Sequence, residues 1–162
     1  MSRKMIPVKT AGVQSAGLLL YRRRDGHDEV LLVHPGGPFW QKRDEGAWSI
    51  PKGEIADNEV AGDVARREFQ EELGTAAPGG SPVDLGQVRQ SGGKVVHAWA
   101  LEGDLDVSQV TSNTFEMEWP PRSGRIQRFP EVDRAGWFDL ETARRKLIPA
   151  QQAFLDRLEQ LP

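Results

Sequence analysis

Two rhythms of hydrophobic and polar positions run along this chain. Residues 15–22 (Ser-Ala-Gly-Leu-Leu-Leu-Tyr-Arg) and 29–34 (Glu-Val-Leu-Leu-Val-His) are near-continuous apolar runs. Runs of this length predict strands covered on both faces. Arg23-Arg24-Asp25-Gly26 lies between them, and its Asp-Gly suits a tight hairpin turn. Gly17 inside the first run predicts a close backbone approach. Residues 85–90 and 94–101 predict a second hairpin, closed at Ser91-Gly92-Gly93. Thr114-Phe115-Glu116-Met117-Glu118-Trp119 alternates at period two, a strand with one apolar face. Residues 131–140 predict the last strand. Residues 141–147 and 151–161 then read as helices split by Pro149, with Leu140 and Ile148 closing the core beneath them.

The other rhythm is helical. Ala61, Ala65, Phe69 and Leu73 form an apolar row at fourfold spacing, and Gly74 is a natural stop. Beside that row Glu68, Glu71 and Glu72 share an arc of roughly 100°, because residues three and four apart lie on one helix face. Three like charges on one arc repel each other. A hard divalent cation removes that cost, and Mg²⁺ prefers carboxylate oxygens completed by water and substrate phosphates. The helix by itself therefore has two readings, a solvated acidic face or a Mg²⁺ site for a phosphorylated ligand.

Composition narrows the choice of ligand. The 162 residues carry 21 Lys and Arg against 24 Asp and Glu, a net charge of −3. A nonspecific nucleic-acid binder normally carries a basic stripe, so nucleic acid is an unlikely partner. A small anionic substrate stays open, because a metal supplies positive charge. The chain has no cysteine, which excludes disulfides and thiolate metal sites. Its three histidines show no metal-ligand spacing. The early apolar run is too short for a signal or a membrane span, so the expectation is a cytoplasmic protein. A loose arm over residues 1–14 and one domain over 15–162 fit this length.

Residues 35–46 form a long loop with Phe39, Trp40, Gln41, Lys42 and Arg43. An aromatic pair followed by cations suits base stacking and phosphate contact, or ordinary loop packing. Arg122, Arg125 and Arg128 form a second cationic loop, suited to distal phosphates or to solvent. His97 and Trp99 read as packed side chains rather than site residues.

Gly53, five residues, Glu59, seven residues, then Arg67-Glu68-Phe69-Gln70-Glu71-Glu72-Leu73-Gly74 resembles the Nudix box of the Nudix hydrolase superfamily. Thr75 departs from it, standing where that family prefers an aliphatic residue. The preceding Trp48-Ser49-Ile50-Pro51-Lys52 resembles the approach to the box in many such enzymes. The flanks resemble a bacterial branch described as predicted NTP pyrophosphohydrolases. The resemblance implies an α/β (α+β) fold, the αβα Nudix sandwich with a mixed sheet between helices. It implies hydrolysis of a nucleoside polyphosphate, a dinucleoside polyphosphate first and a (d)NTP second, by water attack at phosphorus. Glu68, Glu71 and Glu72 would hold Mg²⁺, with Mn²⁺ as a substitute, and the carbonyl of Gly53 would join them. Arg67 would pair with Glu59 to hold the loop on the helix. Glu68 is the candidate base within the box, Glu131 the one outside it. Lys52, Trp40, Lys42, Arg43 and Arg125 are the candidate substrate contacts. A noncatalytic nucleotide-binding domain and a 5′-end RNA pyrophosphohydrolase are the alternative readings. A monomer or a homodimer is equally compatible.

Overall fold

A computed structural model describes residues 13–162; the expected arm, apart from Val13 and Gln14, lies outside the described residues. The first apolar run forms β1 (Gln14–Arg24), which turns back into β2 (His27–Pro35). Asp25 and Gly26 sit at φ 55° and 78°, the paired positive angles of a hairpin turn that few residues besides glycine and Asp or Asn accept. After a long loop come β3 (Lys52–Glu54) and α1 (Ala61–Leu73). The second hairpin is β4 (Val83–Arg89) and β5 (Val95–Glu102). Then follow β6 (Thr114–Glu118), β7 (Ile126–Pro130), β8 (Val132–Asp139), α2 (Leu140–Lys146) and α3 (Gln152–Glu159).

The sheet runs β4-β5-β1-β2-β8, with β3 also paired to β1. It is mixed, since β1 pairs β5 in parallel and β2 and β3 antiparallel. One edge of β1 serves two partners, β3 over residues 15–17 and β2 over 21–24. Val33 and Pro35 of β2 and Lys52 of β3 line the cleft described below. Gly17 lies at the crossing. A Cβ there would fall 2.5 Å from the carbonyl oxygen of Pro51, so the expected close approach is real.

Strand side chains alternate between faces, and the two faces carry two cores. Ala16, Leu18, Leu20 and Leu31 pack on Val64, Ala65, Phe69 and Leu73 of α1. Leu19, Val30, Leu32 and Val96 pack on the opposite helices through Ala143, Leu147, Phe154 and Leu158. The result is the αβα sandwich. Ile148 is a correction to the expected core. It lines the cleft, while Leu147 fills the position beneath the helices and Leu140 packs at its margin. Pro149 breaks the chain at Ile148, so only one of two successive residues can face inward.

Helix α1 ends as its sequence suggests. Gly74 is left-handed, and its N–H donates to the carbonyl of Gln70 at 2.8 Å. The amides of Thr111 and Asn113 donate to the carbonyls of Leu73 and Glu71. The C-terminal turn is thereby satisfied by a passing segment. Strands β6 and β7 pair only with each other, as a separate ribbon. It leans on the 36–46 loop through Phe39, whose ring meets Trp119 edge-on at 5.4 Å.

Candidate active site

The loop that follows β3 and the outer face of α1 bring the motif acids together. Arg67 is the tie. Its guanidinium pairs with Glu59, and it also lies 3.5 Å from Glu68 and 3.7 Å from Glu71. Glu59 accepts a second bond from the N–H of Ala56, which closes the loop on itself. Both bonds hold its carboxyl below the usual range, the Arg67 contact first. Helix α1 has no side-chain cap at Val60, so this loop pairing stands where a capping bond would otherwise fix its start.

Glu68 packs against Gly53, and a methyl group at Gly53 would overlap its carboxyl. Burial raises the Glu68 carboxyl above its ordinary range, and the neighbouring Glu71 charge adds to the rise. Glu72 is more enclosed. Burial pushes it up to about 8, with Glu68 and Glu131 repelling its charged form and Lys52 partly opposing the rise. Lys52 answers in the other direction. Burial lowers it, and the Lys94 cation lowers it further. Adjacent acids and adjacent cations are thus held in a partly dry site, where each sign destabilises itself.

Lys52, Glu72 and Glu131 line one open cleft of about 440 Å³. Trp40 and Arg43 enter it from the 36–46 loop, with the Arg43 guanidinium 5.5 Å from the Trp40 ring. Lys94 faces them from the β4–β5 hairpin. Of the motif acids Glu72 lines this cleft, together with three candidate contacts, Lys52, Trp40 and Arg43, and the loop acid Glu131. Two candidate contacts do not. Lys42 is exposed in the turn after Trp40 and lies outside the cleft lining. Arg125 is exposed at the tip of the β6–β7 ribbon, where its carbonyl accepts from Trp119. Because that ribbon pairs with no strand of the main sheet, its cations stay off the cleft wall, and Arg128 is taken by Glu116 at 3.1 Å. His97 stacks on Trp99 at 4.0 Å and bonds Asp84, as a packed side chain.

Lys94 is the residue that sequence reasoning missed. The hairpin containing it was legible, but its place opposite Lys52 depends on the parallel pairing of β5 with β1.

Among the described residues no three acids or histidines converge as a ready-made metal cage. The donors still fit Mg²⁺. That ion takes one or two carboxylates and is completed by water and phosphate rather than by a protein cage. Two carboxyls, Glu68 and Glu72, raised by burial and by neighbouring acid charges are the oxygen donors such an ion would relieve.

A mixed sheet between helices, with an acid-bearing loop and helix at a cation-lined cleft, defines a class of pyrophosphohydrolases. The NUDIX domain model matches residues 13–158, and the chain belongs to that family, the Nudix hydrolases. No curated protein matches it. A C. elegans Ap4A hydrolase in a binary complex superposes with a TM-score of 0.62 at 22% identity, over 91% of this chain and 95% of that one. The NUDIX domain of Shewanella oneidensis NrtR, complexed with ADP ribose, gives 0.60 at 16% identity over 91% and 86%. A MutT protein from Methanosarcina mazei Go1 gives 0.59 at 21% over 91% and 93%. At these identities the likeness speaks for the fold. No helix among the described residues is long and apolar enough to cross a membrane.

Proposed function

We propose that the protein is a Mg²⁺-dependent hydrolase that cleaves a phosphoanhydride bond of a nucleoside polyphosphate by attack of water at phosphorus. The observation that carries this reading is the cleft. It sets the half-buried Glu72 beside Lys52 and Lys94, with Trp40 and Arg43 at the rim. Phosphoryl chemistry asks the protein for positioning and charge stabilisation rather than covalent help.

Glu68, Glu71 and Glu72 would hold the ion, with the carbonyl of Gly53. When bound, it neutralises phosphate charge and makes a coordinated water more acidic. Lys52 and Lys94 meet phosphate oxygens as point charges. The Trp40 face suits a base, with Arg43 beside it. Arg67 and Glu59 keep the loop on the helix so that Glu68 stays placed. Glu131 suits the role of base. It is exposed and lines the cleft, whereas Glu68 is packed on Gly53 and engaged by Arg67. Glu131 takes the proton of the attacking water as its oxygen bonds to phosphorus and the bridging P–O bond breaks.

A dinucleoside polyphosphate is the first candidate substrate and a (d)NTP the second. Structural neighbours described as an Ap4A hydrolase, an ADP-ribose complex and a MutT protein support that order of trial. The cytoplasm, where such nucleotides are abundant, is the proposed setting. The test is product chromatography with Mg²⁺ and a panel of diadenosine tetraphosphate, ATP, dGTP, 8-oxo-dGTP and ADP-ribose, with Glu72→Gln as control. Consumption of one compound by the wild type alone is expected, and its fragments locate the cleaved bond. Equal turnover by Glu72→Gln would sink the metal assignment. Hydrolysis of a diphosphoinositol compound, with every nucleotide untouched, would overturn the substrate class.

A further inference from the structure

His34 is a buried titratable side chain that the hydrolytic reading leaves unused. It is fully buried near the end of β2, where the register with β8 shifts between His34 and Pro35. Both ring nitrogens are engaged. Nδ1 lies 2.7 Å from Oδ1 of Asp133, and Nε2 lies 2.5 Å from the main-chain carbonyl oxygen of Arg43. The ring stands edge-on to Trp48 at 5.3 Å. Arg43 belongs to the 36–46 loop that also carries Trp40, and both line the cleft. One hydrogen bond from the core therefore reaches the backbone of the loop that forms the cleft rim.

A carbonyl oxygen only accepts, and an ionised carboxylate only accepts. Two such partners are satisfied together only by an imidazole protonated on both nitrogens. A ring with one proton surrenders one contact. The bond to Asp133 has an ionised acceptor and is the stronger of the two. The single proton accordingly stays on Nδ1, and the bare Nε2 faces the Arg43 carbonyl lone pairs.

We propose that His34 is a positioning residue for the cleft: its Nε2–H holds the Arg43 carbonyl, and with it Trp40 and Arg43, against the cleft, and this tie lapses when the ring carries one proton. The charged groups around the ring come from three elements. Asp133 and Arg134 stand on β8, with the Arg134 guanidinium 3.7 Å from Asp133 and 5.3 Å from the Trp48 ring. Arg43 and Asp44 belong to the loop, and Lys146 to α2. Asp44 accepts from Trp48 Nε1 at 2.8 Å and from Lys146 at 2.6 Å. Those bonds hold the Asp44 carboxyl below its usual range, the Lys146 contact first, so it stays ionised where histidine titrates. Only the kinetic readout of this inference rests on the nucleotide reading of the cleft; the loop itself is measured without substrate.

The discriminating variant is Asp133→Asn. Its side-chain amide donates to Nδ1 of a neutral ring, whose Nε2–H then keeps the Arg43 carbonyl at every pH. Hydrogen exchange of the full chain reads the loop through the amides of Trp40 and Arg43, which donate to the carbonyls of Gly37 and Trp40. Along a rising pH series over which the chain stays folded, after correction for intrinsic exchange, wild-type protection should fall about three- to tenfold, the scale of one lost hydrogen bond. In Asp133→Asn it should stay flat. His34→Gln, whose amide nitrogen reaches the same carbonyl without titrating, should also stay flat, which guards against a folding defect in the first variant. KM for the nucleotide substrate should rise with wild-type loop release and lose that pH component in both variants, with kcat following one profile in all three. A flat wild-type loop, or the same slope in wild type and variants, would overturn the inference. So would a released loop that leaves KM unmoved. If the wild type turns over no nucleotide, the substrate reading falls and loop protection alone decides the role of His34.

Discussion

Gly53 lacks a side chain where none fits. Its Cβ position is taken by the carboxyl of Glu68, and Arg67 approaches the same carboxyl from the far side at 3.5 Å. Glu68 is thus placed by one missing methyl group and one cation. Gly53→Ala leaves the charge pattern of the box intact and removes only the space. Glu68 must rotate away, and activity should fall about 10- to 100-fold, as when support of a metal ligand is lost. The melting temperature should move little, because the atoms a methyl group meets belong to one side chain that can rotate. Steady-state kinetics beside calorimetry checks this, and full activity would mean that the position of Glu68 is immaterial. This scale was the most legible in the sequence. Helix periodicity put the acids on one arc, because residues three and four apart share a helix face, and the resemblance to the Nudix box pointed to the Arg67–Glu59 pair and to Gly53.

At the scale of elements, legibility followed the distance along the chain over which a contact is made. Apolar runs and periodic patterns assigned the helices and most strands, though not β3 or β7. They did not report which strand lies beside which. Lys94 escaped notice for that reason, and so did Gln151. Gln151 is fully buried between α2 and α3. Its Oε1 accepts from the N–H of Ile50, and its Nε2 donates to Ser49 Oγ and to Gln90 Oε1. One amide thereby ties the segment leading into β3 to the β4–β5 hairpin, under both cation-bearing walls of the cleft. Gln151→Leu fills the same space and strands those partners. It should destabilise the fold by about 2–3 kcal/mol, the cost of buried groups left unpaired. For a chain of this length that is a fall of roughly 5–10 °C in melting temperature. A shift within about 1 °C would mean that water replaces the amide without loss.

At the scale of the whole molecule, overall charge and site charge have opposite signs. The net charge of −3 opposes a polyanion approaching from solution, whereas Lys52, Lys94 and Arg43 attract it at the cleft. Magnitudes decide between them. Three unit charges acting from about 15 Å, the scale of the molecular radius, contribute under about 1 kcal/mol per unit charge on the ligand in water before screening. At 0.1 M salt the Debye length is about 10 Å, which removes most of that repulsion. The cleft cations act at contact range and from partly dry positions, where screening is weaker. With the divalent ion on the acids, attraction at the cleft is the larger effect. Raising KCl from about 50 to 300 mM at fixed Mg²⁺ should therefore raise KM for a nucleoside polyphosphate, by about two- to fivefold, with kcat nearly unchanged. Lys94→Ala should flatten that dependence. A KM that falls with salt would mean that the field of the whole chain governs substrate capture, and that the cations at the cleft do not bind phosphate.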